Sequence, residues 1–196
     1  AGRAIFKRYH ADGAEPVVGI SVRNWQHETH FKDVMAEVSD RIVRELGARV
    51  VFLPMQFPED VHAAESIAER THEPCTVLKD EYTTSEFLSL VGNMDLMLAI
   101  RLHALIFAGV MGVPMIGVSY DPKIDRFLAS IGEKPVGSLD DVTADELMAE
   151  VCRKWNDKAV FRKRNAELLA KLRDLAARNA ELALQLIGNQ EKGTRR

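Results

Sequence analysis

The stretch Met97–Phe127, MLAIRLHALIFAGVMGVPMIGVSYDPKIDRF, decides how this chain reads. An apolar run ends at Ile100, and Arg101 and His103 stand where a strand gives way to a helix. Gly112-Val113-Pro114 makes a turn, a second apolar run reaches Val118, and Lys123 lies just beyond it. A strand, a helix and a strand in so short a span form the unit of a parallel α/β sheet, because parallel strands need a crossover. In such sheets ligands bind outside the carboxyl ends of the strands. The apolar flanks leave little local acid to pair with the three cations. Together they suit a small anion carrying a carboxylate or a phosphate.

The same alternation continues outward. Val17–Val22 reads as a buried strand ending in Arg23-Asn24-Trp25, and Phe31–Leu46 carries apolar residues at helical spacing until Gly47. Arg49–Pro54 is a second strand, and Pro58-Glu59-Asp60 opens a helix with Pro and acids where a helix start favours them. Thr76–Leu78 reads as a third strand, Thr84–Val91 as a helix, Asp95–Ile100 as the fourth strand, Leu102–Met111 as a helix and Val113–Val118 as the fifth strand. Lys123–Ile131 is a short helix, and two further helices cover Thr143–Trp155 and Asp157–Ile187, the last with an apolar stripe from Leu168 to Ile187. The expected fold is α/β, a Rossmann-like parallel sheet with helices on both faces plus C-terminal helices. Residues 17–188 form the domain, 1–16 read as a linker without periodicity, and 189–196 as a disordered tail; no internal repeat is read.

Composition narrows the function. The 196 residues are 46% hydrophobic, enough for one full core. A net charge of -3 and 7% aromatics argue against a nucleic-acid partner. Cys75 and Cys152 are far apart with no CxxC, which points to neither a disulfide framework nor a zinc site and fits a reduced cytoplasm. No apolar run is long enough to span a bilayer, and the sequence does not open on a signal-peptide pattern. His27 and His30 invite a metal reading, but only Glu28 stands nearby as a third ligand, so no metal is expected. His10, His62 and His72 read as surface residues.

RLHALIFAGVMGVPMIGVSYDPKI resembles the signature of the polysaccharide pyruvyltransferases, especially the bacterial CsaB type. VVGISVRNW at Val17–Trp25 and FLPMQFPEDV at Phe52–Val61 resemble two further blocks of that family. The resemblance implies one half of a GT-B glycosyltransferase-like enzyme, the donor-binding half, with an N-terminal partner domain elsewhere. It also implies transfer of pyruvate from phosphoenolpyruvate, as a cyclic ketal with release of phosphate, to a sugar of a lipid-linked cell-wall precursor. For the CsaB type that sugar is N-acetylmannosamine, and the ketal is read by S-layer-homology domains. No cofactor is implied. The expected location is cytoplasmic, at the inner face of the membrane.

On that reading Arg101 clamps the carboxylate or phosphate, Lys123 adds a point charge and Arg23 is a second clamp at the same edge. The N–H groups opening the Leu102 helix add anion-binding capacity. His103 either delivers a proton or binds phosphate as an imidazolium. Ser119 and Tyr120 donate hydrogen bonds to the ligand or serve the turn before Asp121-Pro122, and Asp121 pairs with Lys123 or Arg126. Gln56 and Asp60 are weaker candidates for the acceptor side, and Trp25 packs on the core or lines the cleft. The basic run Arg153–Arg178 is a solvated face or a surface that approaches an anionic lipid-linked acceptor. In GT-B enzymes the last helix often crosses to the other domain, so the apolar stripe is expected to be partly exposed and to favour dimerisation; the oligomeric state itself is left open. Two other readings stay open: a GT-B glycosyltransferase or sugar-nucleotide epimerase domain, with Glu133 or Asp140 as ribose partners, and a non-enzymatic anion-binding module.

Overall fold

The computed structural model describes residues 1–25 and 30–193. Its centre is a parallel five-stranded sheet in the order β3-β2-β1-β4-β5. The strands are β1 (Val17–Ser21), β2 (Arg49–Phe52), β3 (Cys75–Val77), β4 (Leu96–Ala99) and β5 (Met115–Gly117). The order reverses between β1 and β4, where Ser21 lies beside Ala99. Crossovers leave in opposite directions from that point, so a crevice opens there at the carboxyl edge. β1 and β4 are buried along their whole length, as a sheet covered on both faces requires.

Eight helices complete the described chain: α1 (Gly2–Arg8), α2 (His30–Leu46), α3 (Glu59–Ala68), α4 (Thr84–Val91), α5 (Leu102–Met111), α6 (Pro122–Ser130), α7 (Ala144–Asn156) and α8 (Lys158–Gly193). Val18, Ile20 and Leu98 face one core with Val38 and Ile42 of α2, Ile67 of α3 and Leu147 and Val151 of α7. Val17 and Met97 face the other, with residues of α1, α4, α5, α6 and the start of α8. Fully buried side chains such as Ile20, Phe52 and Leu98 each contribute on the order of 1.5–3 kcal/mol. Gly112 ends α5 in the left-handed region at φ 69°, a conformation costly for any residue with a Cβ.

Two boundaries differ from the sequence reading. Residues 1–16 are not simply a linker: Gly2–Arg8 is helical, Ile5 and Phe6 are buried, and the Gly2 amide donates to Ser89 Oγ of α4 at 2.7 Å. A helix of 7 residues shows too little periodicity to be read; tertiary packing on α4 stabilises it. At the other end α8 continues through Gly193, past the Asn189 at which a disordered tail was expected. Beyond β5, residues 136–139 run alongside it. Val136 N donates to Gly117 O at 3.0 Å, Ser119 N to Gly137 O at 2.9 Å and Leu139 N to Ser119 O at 3.0 Å. No helix among the described residues is long and apolar enough to cross a membrane.

Candidate functional site

The register brings four loops to the carboxyl edge. Ile100 N donates to Ser21 O at 3.0 Å and Leu53 N to Ile20 O at 2.8 Å, while Val118 N donates to Ala99 O at 3.1 Å. The residues just beyond those strand ends are therefore neighbours: Arg23 after β1, Gln56 and Asp60 after β2, Arg101 and His103 after β4, and Tyr120 and Lys123 after β5.

Arg101 is not the unpaired cation its apolar flanks imply. Asp60, fully buried at the start of α3, accepts from Arg101 Nε at 2.8 Å and from its Nη2, and Gln56 Oε1 accepts from Nη2 at 3.2 Å. Asp60 also accepts from the amides of Met55 and Gln56 at 3.1 and 3.0 Å. The acid comes from 41 residues away, so local sequence could not supply it. Asp60 and Gln56 thus hold Arg101 rather than standing apart on an acceptor side. Among the described residues Nη1 forms no hydrogen bond, and the paired guanidinium is fixed in orientation.

Arg23 is held differently. Its guanidinium carbon lies 5.4 Å from the Trp25 ring centroid and 5.5 Å from that of Tyr120, and Nη1 donates to Tyr120 Oη at 3.1 Å. The two rings are 4.5 Å apart. No carboxylate pairs with Arg23 among the described residues, and its buried Nε has no hydrogen-bond partner there. A buried donor left unsatisfied costs about 1–3 kcal/mol, so this nitrogen is a place where an anion would gain. Trp25 therefore does more than pack on the core: it forms one wall of this cradle.

The remaining residues divide. His103 is exposed in the first turn of α5, where amides lack intrahelical partners and the helix dipole favours anions. Lys123 Nζ pairs with Asp121 at 3.1 Å and lies 5.7 Å from the Tyr120 ring. The Lys123 amide and ammonium hold the Asp121 carboxyl below its usual range, and the Asp121 side chain caps α6. Ser119 Oγ donates its proton to Asp125 at 2.8 Å, so it braces the loop and has no hydrogen left for a ligand. Tyr120 accepts from Arg23, which leaves its own hydroxyl proton to donate.

Outside this edge, Glu133 is buried and bound to Lys154 and Arg164, which removes it as a ribose partner. A cavity of about 640 Å³ on the flank of α7 and α8 is lined by Glu133, Glu150, Arg153 and Arg164, whose charges pair with one another. Burial pushes the Cys75 thiol up, which keeps it protonated and unreactive. His27 and Glu28 lie outside the described residues. Among the described residues no three His, Cys, Asp or Glu converge to hold a metal.

A parallel five-stranded sheet with helices on both faces, its order reversing between β1 and β4, defines a Rossmann-like α/β domain. The sequence profile described as polysaccharide pyruvyl transferase matches residues 7–122, more than half of the chain. The chain belongs to that family. No curated protein matches it in sequence. The fold is similar to that of S. aureus MnaA solved with UDP, at TM-score 0.61 and 10% identity over 82% of this chain and 41% of that one. It is similar too to the UDP-GlcNAc 2-epimerase of Neisseria meningitidis bound to UDP-GlcNAc, at TM-score 0.58 and 12% identity over 83% and 42%. The C-terminal CMP-Kdo binding domain of WaaA from Acinetobacter baumannii matches at TM-score 0.57 and 10% identity, covering 86% of this chain and 95% of that domain. The chain thus spans less than half the length of the first two of these solved chains and nearly all of the solved WaaA domain.

Proposed function

We propose that this domain binds phosphoenolpyruvate for a ketal pyruvyltransferase, with a second domain supplying the acceptor side. The observation that carries the reading is the Arg23 guanidinium, which among the described residues has no carboxylate partner and an unsatisfied Nε, at the same sheet edge as Arg101 in a chain of the pyruvyl transferase family. Phosphoenolpyruvate carries a carboxylate and a phosphate close together and calls for two separate donors. Arg23 offers Nε and its outer nitrogens, Arg101 offers Nη1, Tyr120 offers its hydroxyl, and the first amides of α5 add unpaired N–H groups.

In the reaction two sugar hydroxyl oxygens bond to C2 of the enolpyruvyl unit and the C2–O bond to phosphate breaks. One hydroxyl proton is balanced by the proton that turns the methylene into a methyl, and the other leaves with phosphate. His103, exposed at the mouth of the crevice, either delivers the proton to the methylene carbon or stabilises the departing phosphate as an imidazolium. The acceptor we infer is a lipid-linked cell-wall saccharide with N-acetylmannosamine, as in the CsaB type, used at the cytoplasmic face of the membrane. No cofactor enters this scheme.

A nucleotide-sugar reading has one supporting observation, the UDP-bound neighbours of similar fold. Calorimetric titration with phosphoenolpyruvate and, separately, with UDP-N-acetylglucosamine separates the two. Phosphoenolpyruvate binding that is lost in Arg23→Ala supports the pyruvyl reading. Binding of the nucleotide sugar alone, or phosphoenolpyruvate binding untouched by Arg23→Ala, overturns it.

A further inference from the structure

The long C-terminal helix holds a repeat that a residue-by-residue reading passes over. RNAELLAKL at Arg164–Leu172 returns as RNAELALQL at Arg178–Leu186, 14 residues later. Fourteen residues are two heptads, so each residue of the second copy takes the heptad position of its counterpart. Leu168, Leu175 and Leu182 fall at d, and Asn165, Leu172, Asn179 and Leu186 fall at a.

The two copies differ in what they touch. In the first, Asn165 is buried and its Nδ2 donates to Gly109 O of α5 at 2.7 Å. Leu168 packs on the core beside buried Phe161, and Arg164 pairs with Glu133. The second copy lies about 21 Å further along the helix axis, beyond the domain. Leu175, between the copies, is 58% exposed and Leu182 of the second copy 50%, and Asn179 is exposed between them. A face built to be buried thus stands without a partner among the described residues.

We propose that the distal half of α8 pairs with the same segment of a second copy of this chain as a parallel two-stranded coiled coil, its seam starting near Leu172. Three observations select that occupant. A seven-residue apolar repeat drifts about 20° per heptad on a straight helix, so only a partner helix of the same period keeps its seam in contact. A single Asn at an a position favours two parallel strands, because the two amides meet in one layer and bond each other. In an antiparallel pair Asn179 faces a leucine instead and is buried unsatisfied. The flanking positions agree: Lys171 and Arg178 fall at g, and Ala176 and Ala183 at e. Parallel strands set g against e, so those cations meet alanines, whereas antiparallel strands set g against g. The docked first copy also holds the helix formed, which removes the nucleation cost that makes short isolated coils marginal.

Sedimentation equilibrium of the full 196-residue chain tests this. The expected result is a dimer that becomes a monomer in Leu175→Arg/Leu182→Arg, with a thermal midpoint that no longer rises with protein concentration and matches that of dilute wild type, since both side chains are exposed on the monomer. With Cys75 and Cys152 replaced by Ser, Asn179→Cys is expected to form a 179–179 disulfide on mild oxidation, identified by mass spectrometry. A wild-type monomer at all micromolar concentrations, a dimer that survives the double arginine substitution, or a dimer without the 179–179 link overturns the proposal.

Discussion

Arg23 and Arg101 end neighbouring strands at the same switch point, yet they are held by opposite physics. Arg101 rests on a fully buried carboxylate that neutralises it and fixes its fork. Arg23 is held between two aromatic faces that stabilise a cation without cancelling its charge. One guanidinium belongs as much to the fold as to the site. The other carries a positive charge and a buried donor that the described protein leaves open. The pair teaches that a cation at the expected edge says little until its counter-ion is known.

The strongest way to break this contrast is Asp60→Ala. It leaves the Arg101 charge uncompensated in a site where the side chain is 14% exposed, and it strips the Met55 and Gln56 amides of their acceptor. Removing one partner of a buried pair costs about 3–5 kcal/mol, and a fall of that size is expected in urea unfolding. An unchanged midpoint means the pair does not hold the α3 start.

Arg23→Ala sharpens the contrast from the other side. It removes a cation with no acid partner among the described residues, so the unfolding midpoint is expected to move little. Phosphoenolpyruvate affinity by calorimetry is expected to fall by about 1.5–3 kcal/mol, the range for hydrogen bonds to charged groups. Arg101→Ala is expected to lose both stability and affinity. If the two arginine variants behave alike, the distinction between them fails.

Tyr120→Phe keeps the ring against Trp25 and Arg23 and deletes only the hydroxyl that accepts from Arg23 Nη1. The expected loss of phosphoenolpyruvate affinity is about 0.5–1.5 kcal/mol, with no change in fold. An unchanged affinity removes the Tyr120 hydroxyl from the donors of the anion site.

Asp121→Asn gives the smallest effect. Because Asp121 titrates below its ordinary range in the folded protein, its contribution to stability is complete above the unfolded carboxylate pKa and is lost as pH falls through the lowered folded value. Thermal midpoints are expected to drop on acidification in the wild type and to drop less steeply in Asp121→Asn. Matching acid limbs in the two proteins remove Asp121 from the account of this loop.

Much of the fold was legible because its signals are local. Apolar runs with crossovers gave five strands, helical spacing gave the intervening helices, and Thr84–Val91 and Leu102–Met111 have the bounds that caps and glycines imply. The carboxyl edge followed from the same pattern, since strand ends are written in sequence. What escaped was either short or long-range. The α1 helix has one apolar pair, and only its seat on α4 reveals it. The heptad register of α8 was written in the sequence as a repeat, but its meaning depended on which copy touches the domain.

The sequence by itself determined a parallel α/β domain of the polysaccharide pyruvyl transferase family with cations at its strand ends, because periodicity and motif spacing are properties of neighbouring residues. Only the tertiary structure decided which cation has a carboxylate partner among the described residues and which rests on aromatic rings. Counter-ions and stacking partners arrive from distant strands: Asp60 reaches Arg101 across 41 residues and Tyr120 reaches Arg23 across 97, and no local pattern records who meets whom in space.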